Sequence, residues 1–75
     1  MATAFVLLNV ETGLDAEVIS GLKAIKGVKE TYQLDGSYDI IARVDTETMQ
    51  ELKNIVSWKI RRLERVRETL TMMVM

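Results

Sequence analysis

The most suggestive chemistry in this sequence lies in one short loop, Leu34-Asp-Gly-Ser-Tyr-Asp39, which is followed by an apolar pair. A carboxylate such as that of Asp39 can bind an ammonium group, and free backbone N–H groups in a turn can bind a carboxylate. Together these groups suit a small zwitterion. The same residues also fit an ordinary hairpin, because Asp-Gly between two strand-like segments is a strong turn signal. In that case the turn amides satisfy Asp39, and both interpretations stay open at this point.

Catalytic and metal sites find little support elsewhere in the chain. There are no histidines and no cysteines, which excludes disulfides and most transition-metal sites and removes the commonest general base. The serines have no base beside them, the carboxylates do not cluster, and the four glycines are isolated rather than grouped in a phosphate-binding loop. We therefore predict a protein that is not an enzyme, with no metal and no resident cofactor.

The charge balance argues against a nucleic-acid or membrane partner. Ten basic and eleven acidic residues give a net charge of −1, which is no footprint for a polyanion. The most basic stretch, residues 59–67, falls at the expected end of a helix, where cations are favourable, and it includes Glu64. The apolar N-terminus lacks a basic region and is too short to span a bilayer. We expect a cytoplasmic protein that does not bind DNA directly.

The length of the chain limits it to a single domain, residues 1–75. A domain of this size is marginal as a monomer, and proteins this small usually rely on disulfides, a metal or a partner chain. The first is excluded and the second finds no support, while hydrophobic residues make up 48% of the chain. We therefore expect a homo-oligomer.

A weak internal repeat divides the chain into two similar halves. Residues 5–12 (FVLLNVET) resemble residues 39–46 (DIIARVDT), and Val-Lys-Glu-Thr at 28–31 resembles Val-Arg-Glu-Thr at 66–69. Each half reads as strand, helix, strand, which predicts the order βαββαβ and a ferredoxin-like fold of the α+β class. In that fold an antiparallel sheet with strand order 4-1-3-2 carries both helices on one face.

Two amphipathic segments predict helices at residues 15–26 and 47–63. Their apolar stripes are Leu14, Val18, Leu22 and Ile25 in the first, and Met49, Leu52, Val56, Ile60 and Leu63 in the second. Gly27 suits the C-terminal end of the first helix. Thr12 is a candidate N-terminal cap of the first helix, and either Thr48 or Asp45 is a candidate cap of the second. Trp58 lies away from its stripe, which predicts either a second interface or a ring packed along its own helix.

Side-chain alternation predicts one covered and one open face of the sheet. The covered face is expected to be apolar, with Val6, Leu8, Val10, Tyr38, Ile40, Ala42, Val44, Leu70, Met72 and Val74. The open face then combines Phe5, Leu7 and Ile41 with Asp39, Thr69 and Thr71. Large apolar groups on an open face imply a covering partner, and we expect a second copy, sheet against sheet.

Several motifs, taken in order along the chain, resemble the C-terminal domain of the Lrp/AsnC (feast/famine) transcriptional regulators, known as the RAM domain. They are Gly27-Val28, Tyr32, Gly36-x-Tyr38-Asp39 running into Ile40-Ile41-x-x-Val44, and Val66-x-x-Thr69-x-Thr71. The resemblance covers nearly the whole chain. It implies a ferredoxin-like fold, a homodimer formed through the sheets, assembly of dimers into tetramers or octamers, and an amino acid effector bound near the contacts between dimers.

The resemblance also implies an effector site, carried over by motif position. Its candidate residues are Gly36, Ser37, Tyr38, Asp39, Thr69 and Thr71, with Tyr32 and Leu34 as flanking candidates. No helix-turn-helix precedes the first predicted strand, so we expect a stand-alone domain that acts on transcription indirectly, by binding effector or by co-assembling with full-length Lrp/AsnC regulators. The family's usual Pro-Gly before the last strand is replaced by Glu64-Arg65, which puts the conformation of that turn in question.

Two other classes of function fit the same topology. A small dimeric α+β-barrel enzyme shares the fold and the sheet-to-sheet dimer, but such enzymes commonly use a histidine or a haem in a polar cavity under the helices. This chain has no histidine, and its covered face is predicted to be apolar. A purely structural assembly partner would form the same oligomer without responding to a ligand. The leading expectation is an amino-acid-sensing, oligomeric module.

Overall fold

The chain folds as four strands and two helices in the predicted order βαββαβ, and a computed structural model describes residues 1–75. The strands are β1 (Ala2–Val10), β2 (Val28–Gln33), β3 (Ile40–Thr46) and β4 (Val66–Met73). The helices are α1 (Asp15–Lys23) and α2 (Met49–Asn54), and α2 continues as a π-helical segment (Ile55–Ile60). One antiparallel sheet has the order β2-β3-β1-β4, which confirms the predicted ferredoxin-like arrangement.

The core lies between the sheet and the helices, where 14 buried apolar side chains form one cluster. Alternation in the two central strands supplies much of it, because every second residue of β1 and β3 is buried and those between are half-exposed. Each fully buried side chain of valine or leucine size contributes about 1.5–3 kcal/mol relative to its exposed state. The predicted covered face is therefore confirmed for β1 and for β3 from Ile40 to Val44.

Helix α1 is shorter than its sequence pattern predicts, because it ends at Lys23 rather than Lys26. The chain then turns through Gly27, whose φ of 106° is in the left-handed region, and enters β2. The predicted cap at Thr12 is wrong, since Leu14 occupies the N-cap position and no side chain caps the first turn. Gly13, with a φ of 81°, turns the backbone between Thr12 and the helix, so the hydroxyl of Thr12 precedes the turn.

The second helix begins at Met49, two residues later than its sequence pattern predicts, and changes its winding halfway. Thr48 is its N-cap, with Oγ1 accepting a hydrogen bond from the Glu51 backbone N–H at 3.1 Å. The π-helical segment, with more residues per turn, lets Ile55, Val56 and Ile60 all reach the core. The apolar stripe predicted at α-helical spacing omits Ile55, which is buried. It also assigns Met49 to the core, which is wrong because Met49 is exposed.

Trp58, on the outer side of the same segment, is 59% exposed. The guanidinium of Arg62 lies 5.3 Å from the centre of its ring, a cation–π contact within the helical segment and the turn that follows. The contact covers one side of the ring and leaves the rest to solvent.

Matching bulges show that the sequence repeat is a structural one. In β2, Val28 pairs with Val44 and Glu30 with Arg43, so Lys29 is left without a partner. In β4, Val66 pairs with Val10 and Glu68 with Asn9, so Arg67 is likewise left without a partner. Each copy of the Val-basic-Glu-Thr motif thus turns its valine to the core and inserts one extra residue into the edge strand.

The bulge in β4 reverses the face assignment predicted for that strand. Leu70 and Met72 pair with Leu7 and Phe5 and share their open face, where they are 44% and 45% exposed. Thr69 and Thr71 pair with Leu8 and Val6, whose side chains are in the core. The prediction took the wholly apolar set of alternate residues as the covered one, whereas the extra residue at the bulge places the other set under the helices.

Candidate functional site

The predicted loop is a hairpin that is fastened to the neighbouring central strand. The backbone N–H of Leu34 donates to the carbonyl of Asp39 at 2.8 Å, which closes the hairpin between β2 and β3. The N–H of Asp39 donates to the carbonyl of Leu8 at 2.9 Å, which ties the hairpin to β1. The loop is therefore held at one end of the sheet, beside the end of β1.

The carboxylate of Asp39 is bound across strands rather than within the turn. Its Oδ2 accepts a hydrogen bond from the backbone N–H of Val10 at 2.9 Å, and the residue is half-buried. The Oδ1 atom makes no hydrogen bond within the chain. Asp39 thus satisfies a backbone donor at the end of β1, and not the turn amides of the hairpin, and it keeps one oxygen for another donor.

The other loop candidates surround Asp39 at different depths. Gly36 and Ser37 form the exposed tip, and a side chain at Gly36 would meet no atom within 4 Å. Tyr38 is half-buried, whereas Tyr32 and Leu34 are exposed on the approach from β2. One chain therefore presents this group of residues largely to solvent, with no wall facing the loop.

The two threonines do not join the loop within one chain. Thr69 and Thr71 lie on β4, with β1 between them and the strand that Asp39 precedes, and they face the helices. Asp39 precedes the buried Ile40 and by alternation lies on the opposite face. The expectation that Asp39, Thr69 and Thr71 share one face is wrong, and the candidate site is divided between two places.

The open face of the sheet is apolar at its centre and charged along one side. Its apolar side chains come from all four strands and are Phe5, Leu7, Tyr32, Ile41, Leu70 and Met72. Beside them, Arg43 forms ion pairs with Glu30, at 2.9 Å, and with Asp45, which also accepts from the hydroxyl of Thr3 at 2.8 Å. This side of the face is thus already paired within the chain.

The environment of Arg43 favours its charged form. The hydrogen bond that the guanidinium donates to Glu30 is the main reason that the pKa of Arg43 is raised, and Asp45 adds to it, while partial desolvation opposes both. Arg43 therefore stays charged at every pH at which the protein is expected to be folded. Covering this face with another surface would bury a charge that already has its counter-ions.

The largest cavity, about 570 Å³, lies at the other end of the sheet from the loop and contains none of the predicted site residues. It is lined by three lysines and three carboxylates, so its charges balance; they are Lys26, Lys29, Lys59, Asp45, Glu47 and Glu51. No group of three or more acidic side chains is close enough to hold a metal ion. No helix has the length and apolarity needed to cross a membrane.

A smaller cavity of about 350 Å³ has a different character and was missed by the sequence reasoning. It lies between the end of the second helix and the start of β4 and is lined by Arg61, Val66, Arg67, Glu68 and Thr69. The basic stretch was interpreted as a favourable helix end, and this accounts for Arg61 but not for Arg67. The sequence signal for this cavity is the Val-basic-Glu-Thr repeat, which occurs at the bulge in both edge strands.

Comparisons with known proteins connect this geometry to one family. The model of the Lrp/AsnC ligand binding domain matches residues 3–75. The chain is 33% identical over 72 residues to the HTH-type transcriptional regulator FL11 of Pyrococcus furiosus, which covers 96% of this chain and 47% of that protein. It is 37% identical to the crystal structure of FFRP-DM1, with a TM-score of 0.94 and all of both chains covered.

The chain spans about half the length, or less, of the curated regulators that it matches. A further relative is homocitrate synthase of Saccharolobus islandicus, 41% identical over 54 residues, which is 72% of this chain and 12% of the enzyme. The match to the family model runs from the second residue of β1 to the end of the chain, and the identities to the regulators fall on the same domain. The chain therefore belongs to the family of Lrp/AsnC ligand binding domains.

Proposed function

We propose that this chain is an amino-acid-sensing assembly module, with no catalytic activity of its own, that modulates transcription by assembling with regulators of its family. The observation that carries the proposal is the open sheet face, on which large apolar groups from four strands remain uncovered in one chain. Such a face in a small domain is typical of a protein–protein interface. Family membership and its regulator relatives favour a role in transcription.

The first step of assembly is a homodimer in which two open faces pack together. Leu70 and Met72 lie on this face because of the β4 bulge, next to Leu7 and Phe5. A twofold arrangement presents the same face on both chains, and the paired Arg43 needs no new counter-ion when it is covered. Dimers then assemble further into tetramers or octamers, and full-length regulators join through the same domain.

The effector site lies at the hairpin, where a neighbouring chain supplies the missing wall. The free Oδ1 of Asp39 binds the ammonium group, and exposed amides of Gly36 and Ser37 bind the carboxylate. The chain's own Thr69 and Thr71 face the helices, so these two threonine hydroxyls would reach the hairpin only from another chain. Because the site is completed by assembly, effector binding and oligomer size are expected to be linked.

Light scattering of paired variants tests the dimer. Leu70→Lys with Met72→Lys places two charges on the open face and is expected to halve the mass of the smallest stable species. The matched control is Met49→Lys, since Met49 is a similarly exposed apolar residue away from the sheet. An unchanged mass in the double variant would rule out the open face as the interface.

Calorimetric titration with the common amino acids, at a fixed protein concentration, tests the effector site. Asp39→Asn keeps an oxygen for the Val10 amide and removes the charge, whereas Asp39→Ala removes both. We expect Asp39→Asn to lose affinity for the effector while the fold is kept, and Asp39→Ala to lose stability as well. If no amino acid binds the unmodified chain and no amino acid changes its mass, the sensing function is wrong and a purely structural role remains.

A second candidate function is regulation of an enzyme rather than of transcription. The match to homocitrate synthase covers 12% of that enzyme, so the shared region is a minor part of its length. Mixing the chain with a full-length Lrp/AsnC regulator and measuring the mass of the mixture separates the two. Co-assembly favours the transcriptional role, and its absence together with amino acid binding favours the second candidate.

A further inference from the structure

The cavity at the start of β4 has a counterpart in the other half of the molecule. We call it the β4 cleft, lined by Arg61, Val66, Arg67, Glu68 and Thr69, with a volume of about 350 Å³. The β2 cleft, of about 70 Å³, is lined by Lys23, Val28, Lys29, Glu30 and Thr31. Each residue of one has a residue of the same type in the other, 38 positions away.

Both clefts arise from the same local geometry. A helix ends beside an edge strand, and the bulge in that strand inserts a basic residue, Lys29 in β2 and Arg67 in β4, between two paired residues. A bulge re-aims the side chains around it. In β4 the hydroxyl-bearing Thr69 pairs with the buried Leu8 and so lies on the helix side, where the cleft is.

The two clefts differ in how their charges are used. Glu30 of the β2 cleft is bound by Arg43, the residue opposite it in β3. The residue opposite Glu68 is Asn9, which is uncharged, so Glu68 has no cross-strand cation and forms no ion pair. Neither Arg61 nor Arg67 forms an ion pair in the structure, in contrast to Arg43 and Arg65.

We propose that the β4 cleft is a binding site for a small oxyanion, a carboxylate or phosphate group of a small molecule, held by Arg61, Arg67 and the hydroxyl of Thr69. Two guanidinium groups that form no ion pair, beside a cavity of this size in which Glu68 is the one acidic lining residue, suit a planar or tetrahedral oxyanion, because their N–H groups donate in pairs. The site is separate from the hairpin and lies on the helix side of the sheet. In it, the hydroxyl of Thr69 donates to the oxyanion.

The test is an NMR titration of the isotope-labelled full chain with inorganic phosphate and, separately, with acetate, at constant ionic strength. We expect a saturable shift of the backbone amide signals of Arg67 and Thr69 with at least one probe. The double variant Arg61→Gln with Arg67→Gln is expected to weaken that binding by about tenfold or more, since charge-assisted hydrogen bonds are lost. Thr69→Val, which keeps the shape, is expected to weaken it by a smaller factor.

The matched control is Lys23→Gln with Lys29→Gln, which removes two cations from the β2 cleft and is expected to leave the affinity unchanged. Saturation by phosphate alone identifies a phosphate-bearing ligand, and saturation by acetate alone a carboxylate-bearing one. Shifts that stay linear with both probes, or equal weakening by both double variants, would overturn the proposal. An Asp39→Asn variant that loses amino acid binding and keeps the anion response would separate this site from the effector site.

Discussion

The two halves of this molecule follow one plan and differ at two related positions. Both consist of a central strand, a helix and an edge strand that begins with a bulge. Before the bulge, the first half has Gly27 at a φ of 106° and the second has Arg65 at a φ of 77°. Opposite the glutamate of the motif, the second central strand has Arg43 and the first has Asn9. In the edge strand β2 the glutamate therefore forms an ion pair, and in the edge strand β4 it does not.

The comparison indicates that the two halves have the same backbone turn and bulge but different side-chain interactions at them. The left-handed turn is needed in both halves to bring the helix end onto the edge strand, whether or not glycine supplies it. The Glu64-Arg65 substitution of the family's Pro-Gly therefore keeps the turn, at the expense of backbone strain in Arg65. The tightly packed turn retains its glycine, and the exposed one does not.

The largest expected effect comes from Gly27→Ala. A β-carbon at this position would lie 2.7 Å from Cδ1 of Ile55 and 3.4 Å from the carbonyl oxygen of Asp45, in a backbone conformation that L-residues avoid. We expect the free energy of unfolding to fall by about 2–4 kcal/mol. Urea denaturation at one protein concentration measures it, with Arg65→Ala as the control at the equivalent position. A loss as small in Gly27→Ala as in Arg65→Ala would mean that the two turns are interchangeable.

A smaller loss is expected from removing the one helix cap that the structure contains. Thr48→Ala deletes the hydroxyl that accepts from the Glu51 amide, and we expect about 1 kcal/mol of destabilisation. Thr12→Ala at the start of the first half is the matched control, because Thr12 caps nothing. Thermal unfolding of both variants measures the difference, and equal losses would show that the two helix starts do not differ in this way.

Arg65→Gly is expected to stabilise the protein slightly. Glycine adopts a φ of 77° without the steric penalty of a side chain, while it loses more conformational entropy on folding. The exposed ion pair with Glu11, at 3.5 Å, contributes little. The net gain is expected to be about 0.5–1 kcal/mol, measured by urea denaturation. A loss of stability would show that Arg65 has a contact that outweighs its strain.

The smallest effect is expected from making the two edges alike. Asn9→Arg places a guanidinium opposite Glu68, as Arg43 lies opposite Glu30. An exposed pair of this kind stabilises by less than about 1 kcal/mol, which a comparison with the Asn9→Gln control resolves. Salt is expected to reduce the gain, and a gain that is insensitive to salt would point to packing rather than charge.

Much of the fold was predictable, because it rests on short-range patterns. The alternation in β1 and β3 is strict, so the faces of both central strands follow from residue type alone. The repeat predicted the strand order, and Thr48 was identified as a cap from its spacing to Glu51. The hairpin at Leu34–Asp39 followed from its Asp-Gly pair. Apart from the repeat, which compares the two halves of the chain, each signal lies within a few residues of the feature that it predicts.

The errors fall where a distant part of the chain decides. The parity of β4 depends on a bulge that is visible only against the pairing with β1. Which apolar residues of the second helix are buried depends on a π-helical segment that fits Ile55, Val56 and Ile60 against the sheet. The partner of the Asp39 carboxylate is the Val10 amide, 29 residues away. Apart from the Val-basic-Glu-Thr repeat at the bulge, the local sequence contains no signal of these contacts.

By itself, the sequence determined the class of fold, the central strands, the hairpin and the family, because these depend on periodicity and on motifs that local chemistry constrains. Only the tertiary structure decided that Leu70 and Met72 face outward, that Thr69 lies beside Arg61 and Arg67, and that Asp39 is anchored to β1. For Leu70, Met72 and Thr69 the physical reason is the bulge in β4, and for Asp39 it is a hydrogen bond from the amide of Val10, 29 residues away. At the bulge one residue, Arg67, has no partner in β1, and this exchanges the two faces of the strand that follows.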